Sequence, residues 1–161
     1  MVEVDIAMVR FDRDIRTPIV VLREKEGDPK RLLPIWVGLF EALAIIAQIE
    51  NQPIVRPMTH DLLKSVIDNL EAKVVSVLVS ELKDNTFYAE ITLHLNNGNV
   101  IKIDSRPSDA MALALRAKAP IYVAEEIMTE SSIGPDITSA DDKEGLKSAL
   151  ESLKPEDFYK V

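Results

Sequence analysis

From its second residue the chain alternates. Val2, Val4, Ile6 and Met8 fall on one side of the pattern, with Glu3, Asp5 and Ala7 on the other. A period of two marks a half-buried strand, predicted here over Val2 to Phe11. Arg13 and Asp14 turn the chain, and Thr17 to Arg23, centred on Ile19, Val20, Val21 and Leu22, reads as the returning strand. The charged stretch from Glu24 to Arg31, with Gly27 and Pro29, is a loop. A third strand follows over Leu32 to Val37 and stops at Gly38. The period then changes to that of a helix. Leu39 to Asn51 carries few polar positions, Glu41, Gln48 and Glu50, so this helix is either central to the fold or covered by another chain. A subunit contact is expected there. After Pro53 and Pro57, Thr59 is a suitable N-cap with Asp61 in the first turn, and Leu62, Leu63, Val66, Ile67 and Leu70 form one apolar face of a second helix.

A second set of strands begins at Ala72. The Val-rich run to Leu82 turns at Asp84 and Asn85, Thr86 to Leu95 alternates back, and Asn97-Gly98 leads into Asn99 to Asp104. Pro107 then suits a first helical position, where a missing N–H costs nothing, and Asp109 puts negative charge where the helix dipole favours it. From Ala110 to Ala117 the side chains are Ala, Met, Leu and Arg116, so this third helix is slim and apolar on most sides. Pro120 ends it, and Ile121 to Ala124 is the last strand. The pattern predicts an α+β fold: an antiparallel or mixed sheet built from two three-stranded meanders, packed against three helices. Gly134 and Pro135 mark a hinge, Ser139 with Asp142 suggests a capping box, and Leu146, Ala149, Leu150 and Leu153 give one weak apolar face. Residues 1–133 are therefore expected to form the domain and 134–161 an acidic, mobile helical appendage.

Composition narrows the function classes. With 161 residues the chain can bury a real core, and with no cysteine it has neither a disulfide framework nor a thiolate metal site. No run approaches a membrane span or a signal-peptide pattern, so the expected location is the cytoplasm, with no membrane partner. The net charge of −8 removes the bulk attraction by which basic proteins gather nucleic acid. Ten of the 27 acids lie from Glu125 onward, so the body is closer to balanced than the total implies.

The uncommitted polarity collects where strands meet helix starts. Arg56-Pro57-Met58-Thr59-His60-Asp61 and Arg106-Pro107-Ser108-Asp109 both place Arg-Pro, then a hydroxyl, then an acid, before an apolar helix. Unpaired N–H groups and a nearby guanidinium together suit a phosphate, so Arg56, Arg106 and Ser108 are the expected phosphate-binding residues. The bland reading is that Asp61 and Asp109 cap their helices or pair with those arginines. His60 is a candidate general base, since an imidazole can exchange protons at physiological pH; the plain alternative is a solvated histidine in a first turn.

Four blocks carry a family resemblance: LPIWVG at Leu32 to Gly38, EALAI at Glu41 to Ile45, RPMTHDLL at Arg56 to Leu63, and IDSRPSDAMALALRAKAPIYV at Ile103 to Val123. Together they resemble the bifunctional nuclease domain family over roughly Val2 to Ile127. The resemblance implies hydrolysis of RNA and DNA, with nucleic acid as the substrate. Metal-assisted phosphodiester cleavage needs carboxylates to hold Mg²⁺ or Mn²⁺, and Glu41, Asp61, Asp104 and Asp109 are the acids nearest strand ends and helix starts. The expected catalytic set is Asp61, Asp109 and His60. A homo-oligomer, with a dimer favoured, is the expected assembly. The competing reading is a non-catalytic oligomeric protein-interaction module, and a third is a binder of small anions at the two helix starts.

Overall fold

A computed structural model describes residues 1–12 and 16–133. Its strands are β1 (Val2–Asp12), β2 (Thr17–Glu24), β3 (Leu32–Trp36), β4 (Lys73–Lys83), β5 (Thr86–His94), β6 (Val100–Ser105) and β7 (Ile121–Val123). Its helices are α1 (Leu39–Ile49), α2 (Thr59–Asn69), α3 (Pro107–Ala117) and α4 (Glu125–Ser131). The predicted Arg13-Asp14 turn and the helix expected after Gly134 lie outside the described residues.

Both predicted meanders form, and they join in one mixed sheet of order β3-β2-β1-β7-β4-β5-β6. The joint is β7. It pairs antiparallel with β1 through Val2↔Val123 and Val4↔Ile121, and parallel with β4 through Val77↔Ile121 and Val79↔Val123. Although β7 has only three residues, its Ile121 and Val123 are buried in the core. Helix α3 is the crossover that returns the chain from the β6 edge to this central slot.

The helices explain the core. Ala110, Met111, Ala112, Leu113 and Ala114 of α3 are fully buried, and α3 packs against α1, α2, β4 and β5. Small side chains let all four neighbours approach one helix closely. On α1 the alanines and Ile45 face inward, while Phe40 and Ile49 are exposed.

Helix α2 departs from its predicted packing. Of the apolar set expected as one core face, only Ile67 is buried; Leu62, Leu63, Val66 and Leu70 are exposed. The residue that reaches inward beside Ile67 is His60. The N-cap is Met58 and not Thr59, because the Asp61 carboxylate reaches back to accept the Met58 N–H at 2.9 Å. Helix α4 was not anticipated: its first turn holds Glu125 and Glu126, and Ile127 and Met128 are buried beneath it.

In the strand register, Thr17 at the far end of β2 and Leu82 near the tip of β4 stand at opposite ends of the sheet. Both nevertheless line a single cleft of about 730 Å³. The sheet is therefore coiled around its helices, and register shifts at Ile6/Met8, Val74/Ser76 and Val79/Glu81 supply places for it to bend.

Candidate functional site

The starts of α1, α2 and α3 meet. Arg106, the N-cap of α3, donates from Nε to Asp109 Oδ2 at 2.7 Å and from Nη2 to Glu41 Oε1, in the first turn of α1, at 2.6 Å. The other oxygen of Asp109 lies 2.9 Å from Nε2 of His60, in the first turn of α2. Glu41, Arg106, Asp109 and His60 thus form one unbroken chain of polar contacts across three helices. The Arg106 side chain remains 66% exposed, against 10% for His60.

Charge in the cluster follows from these contacts. Burial is the largest single influence on Asp109 and acts to raise its pKa, but the bonds from Arg106 and His60 together outweigh it and hold the carboxyl below its usual range. Asp109 is therefore ionised near neutrality. Arg106 is pushed above the ordinary guanidinium value, first by Asp109 and then by Glu41. A carboxylate only accepts, so Nε2 is the donating nitrogen of His60 in this contact, which leaves Nδ1 outside it.

Gly38, the N-cap of α1, makes room for Glu41. A Cβ there would stand 2.1 Å from Glu41 Oε2, so any larger residue displaces the carboxylate that holds Arg106. The cleft opens beside this group. Trp36, Val37 and Gly38 line one side, Leu82 and Phe87 another, and Arg106 and Ser108 a third. An apolar wall thus meets a guanidinium that is still open to solvent.

Asp61 sits in a second, more buried pair. Its Oδ1 accepts from Arg116 Nε at 2.6 Å while Oδ2 accepts the Met58 N–H. The Arg116 side chain, 4% exposed, also donates from Nη1 to the carbonyls of Ala44 and Ala112, and its Nη2 is buried with no partner among the described residues. Burial acts to raise the Asp61 pKa, and Arg116 and the Met58 N–H more than offset it, so the carboxyl stays below its ordinary range.

The remaining expected residues are placed apart. Ser108 is buried in the first turn of α3. Arg56 is exposed in the link before α2 and makes no ion pair among the described residues. Asp104 is exposed on β6 opposite Glu90, bonded to none of the cluster. Two contributors went unassigned from the sequence, Arg116 and Gly38. Arg116 had left a trace: it is the one charged residue between Ala110 and Ala117 and lies seven residues, two turns, after Asp109.

Mg²⁺ or Mn²⁺ asks for several oxygen donors facing one point. Among the described residues no group of three His, Cys, Asp or Glu side chains is arranged to hold a metal ion. Glu41, Asp61 and Asp109 each have a guanidinium against them, and the residues as arranged do not fit the ion.

Fold and site together define an α+β domain with an ion-paired cluster of helix starts whose Arg106 lines an apolar-walled cleft. The model of the bifunctional nuclease domain matches residues 20–136. An uncharacterised protein of Mycobacterium tuberculosis is 36% identical over 167 residues, 98% of each chain. Bifunctional nuclease 2 of Oryza sativa subsp. japonica is 32% identical over 72% of this chain, and bifunctional nuclease 1 of Arabidopsis thaliana 32% over 66%. The matched stretch spans 36% and 33% of those two plant proteins. The chain belongs to the bifunctional nuclease domain family.

No helix among the described residues is long and apolar enough to cross a membrane.

Proposed function

We propose that this chain hydrolyses phosphodiester bonds of RNA and DNA at the cluster of Arg106, Asp109, His60 and Glu41. The observation that carries the reading is the unbroken polar chain from Glu41 to His60, one member of which, Arg106, lines a cleft walled by Trp36 and Phe87. Arg106 binds the phosphate with the N–H groups that its two carboxylates leave unused. Glu41 and Asp109 hold that guanidinium in place. His60 takes the proton of the attacking water at Nδ1 as the new P–O bond forms and returns it to the departing oxygen as the old P–O bond breaks, and Asp109 keeps the ring in the required tautomer. Exposed Arg56, shortly before α2, adds positive charge for the flanking strand. Cytoplasmic action as a homodimer is part of the same reading, drawn from the cysteine-free composition and the exposed apolar residues of α2.

No step here runs through a metal, and Mg²⁺ or Mn²⁺ enters as an arm of the experiment. Highly purified protein is incubated with labelled RNA and DNA in chelator, in Mg²⁺ and in Mn²⁺. Wild type is expected to cleave both, and Arg106→Ala and His60→Ala to lose roughly a hundredfold or more. Wild-type rates in both variants would move the chemistry elsewhere.

The interaction-module reading draws on a specific observation as well. Leu62, Val66 and Leu70 are exposed in a row on α2. It predicts an oligomer that cleaves neither substrate under any of these conditions.

A further inference from the structure

Strand β6 closes one end of the sheet, and its residues from Val100 to Asp104 are all exposed. Edge strands are commonly blunted by proline, bulges, covering loops or charged side chains, and of these β6 carries, among the described residues, only the charges of Lys102 and Asp104. β6 contains no proline, pairs with β5 in uninterrupted register, and exposes Val100, Ile101 and Ile103. Ile101 and Ile103 stand opposite buried Leu93 and Ile91, on the face of the sheet that the helices cover. On that same face α2 turns Leu62, Val66 and Leu70 to solvent at successive helical turns. The side chain of Asn96, in the β5–β6 turn, donates to Glu71 just past α2 at 2.7 Å, which ties helix and edge together.

We propose that this edge binds a second copy of the chain, β6 against β6 about a two-fold axis, with the exposed row of α2 closing over the joint. The register follows from backbone phase and charge. Leu95 N–H donates to the Asn99 carbonyl at 2.8 Å, so Asn99, Ile101, Ile103 and Ser105 turn their backbone groups toward β5. Val100, Lys102 and Asp104 then turn theirs to the free edge. An axis at Ile103 sets Lys102 of one copy opposite Asp104 of the other, twice, as hydrogen-bonded pairs between oppositely charged side chains. An axis at Lys102 satisfies the backbone too, but brings two ammonium groups face to face. Within one copy Asp104 faces Glu90, whose carboxylate already holds Lys102 at 2.8 Å. The lysine of the second copy supplies a cation that Asp104 does not have among the described residues of its own copy.

The native chain has no cysteine, so Ile103→Cys introduces a single thiol on the proposed axis. Directly opposed residues of a non-hydrogen-bonded pair lie at about 4.5 Å between Cα atoms, within reach of a disulfide. Oxidation of this variant is expected to link the chains in pairs, at the size of the wild-type dimer measured by sedimentation equilibrium. Lys102→Asp and Asp104→Lys are each expected to weaken the dimer by about tenfold or more, and the two combined to restore it. Circular dichroism of each variant separates lost pairing from lost folding. A monomeric wild type, a thiol variant that does not cross-link, or a double variant as weak as the single ones would overturn the assignment.

Discussion

Arg106 holds carboxylates from two different helices and still keeps most of its side chain in water. Stability alone does not account for that combination, because exposed pairs contribute little to it. The combination suits a cation that must be aimed. The Gly38→Ala substitution tests the aiming without touching the arginine. Gly38 has an extended backbone, φ −67, that alanine tolerates, so stability is expected to change by less than about 1 kcal/mol. The added Cβ evicts the Glu41 carboxylate, and cleavage is expected to fall about tenfold. Thermal unfolding and cleavage rates on the same sample check this, and equal rates would mean that Glu41 does not position Arg106. Asp61 predicts the opposite pattern. Asp61→Ala leaves the buried Arg116 guanidinium without its carboxylate, for an expected loss of about 3–5 kcal/mol in urea unfolding. Any activity lost in that variant should then track the unfolded fraction.

The three helices are bound to one another by these charges as well as by the alanines of α3. Asp61 joins α2 to α3 and, through Arg116, to the Ala44 carbonyl of α1; Asp109 joins α3 to α2. Both carboxyls titrate below their ordinary value near 3.8 in the folded protein, since their partners outweigh the effect of burial. A depressed folded pKa gives stability that is complete above the unfolded value and is lost as pH falls through the folded one. Stability should therefore hold at about pH 5 and decline below about pH 4. Urea midpoints from pH 6 to pH 3 measure the decline, and Asp109→Asn should flatten part of it; an unchanged slope would remove the carboxylate as its source. At this scale the sequence was informative about existence and less so about packing. Pro107, Asp109 and the alanine run marked α3 because caps and propensity are local. The face of α2 was assigned to the core because exposed and buried apolar stripes look alike in a sequence, and only the helix's neighbours distinguish them.

Across the molecule, the cleft exists because the sheet coils until the β2–β3 end and the β4–β5 tip share one hollow. Periodicity located each strand within a residue or two, but β7 could not be assigned its slot between β1 and β4. Pairing partners far apart in the chain leave no period to read. Two short Arg-Pro motifs mark the starts of α2 and α3 in the sequence. Glu41 joined them through Gly38, whose role depends on tertiary proximity. Trp36, the only tryptophan, is 51% exposed on the cleft wall, so its fluorescence reports occupancy directly. A non-cleavable oligonucleotide should change that emission saturably in wild type and much more weakly in Arg106→Ala. No change in wild type would put the nucleic acid elsewhere.

The most direct measurement compares single-turnover cleavage of one RNA and one DNA strand of the same sequence by wild type, Arg106→Ala and Asp109→Asn. A single site for both chemistries predicts that each substitution slows both substrates by the same factor, roughly a hundredfold or more for Arg106→Ala. Loss on one substrate with wild-type rates on the other, or wild-type rates on both, would contradict it.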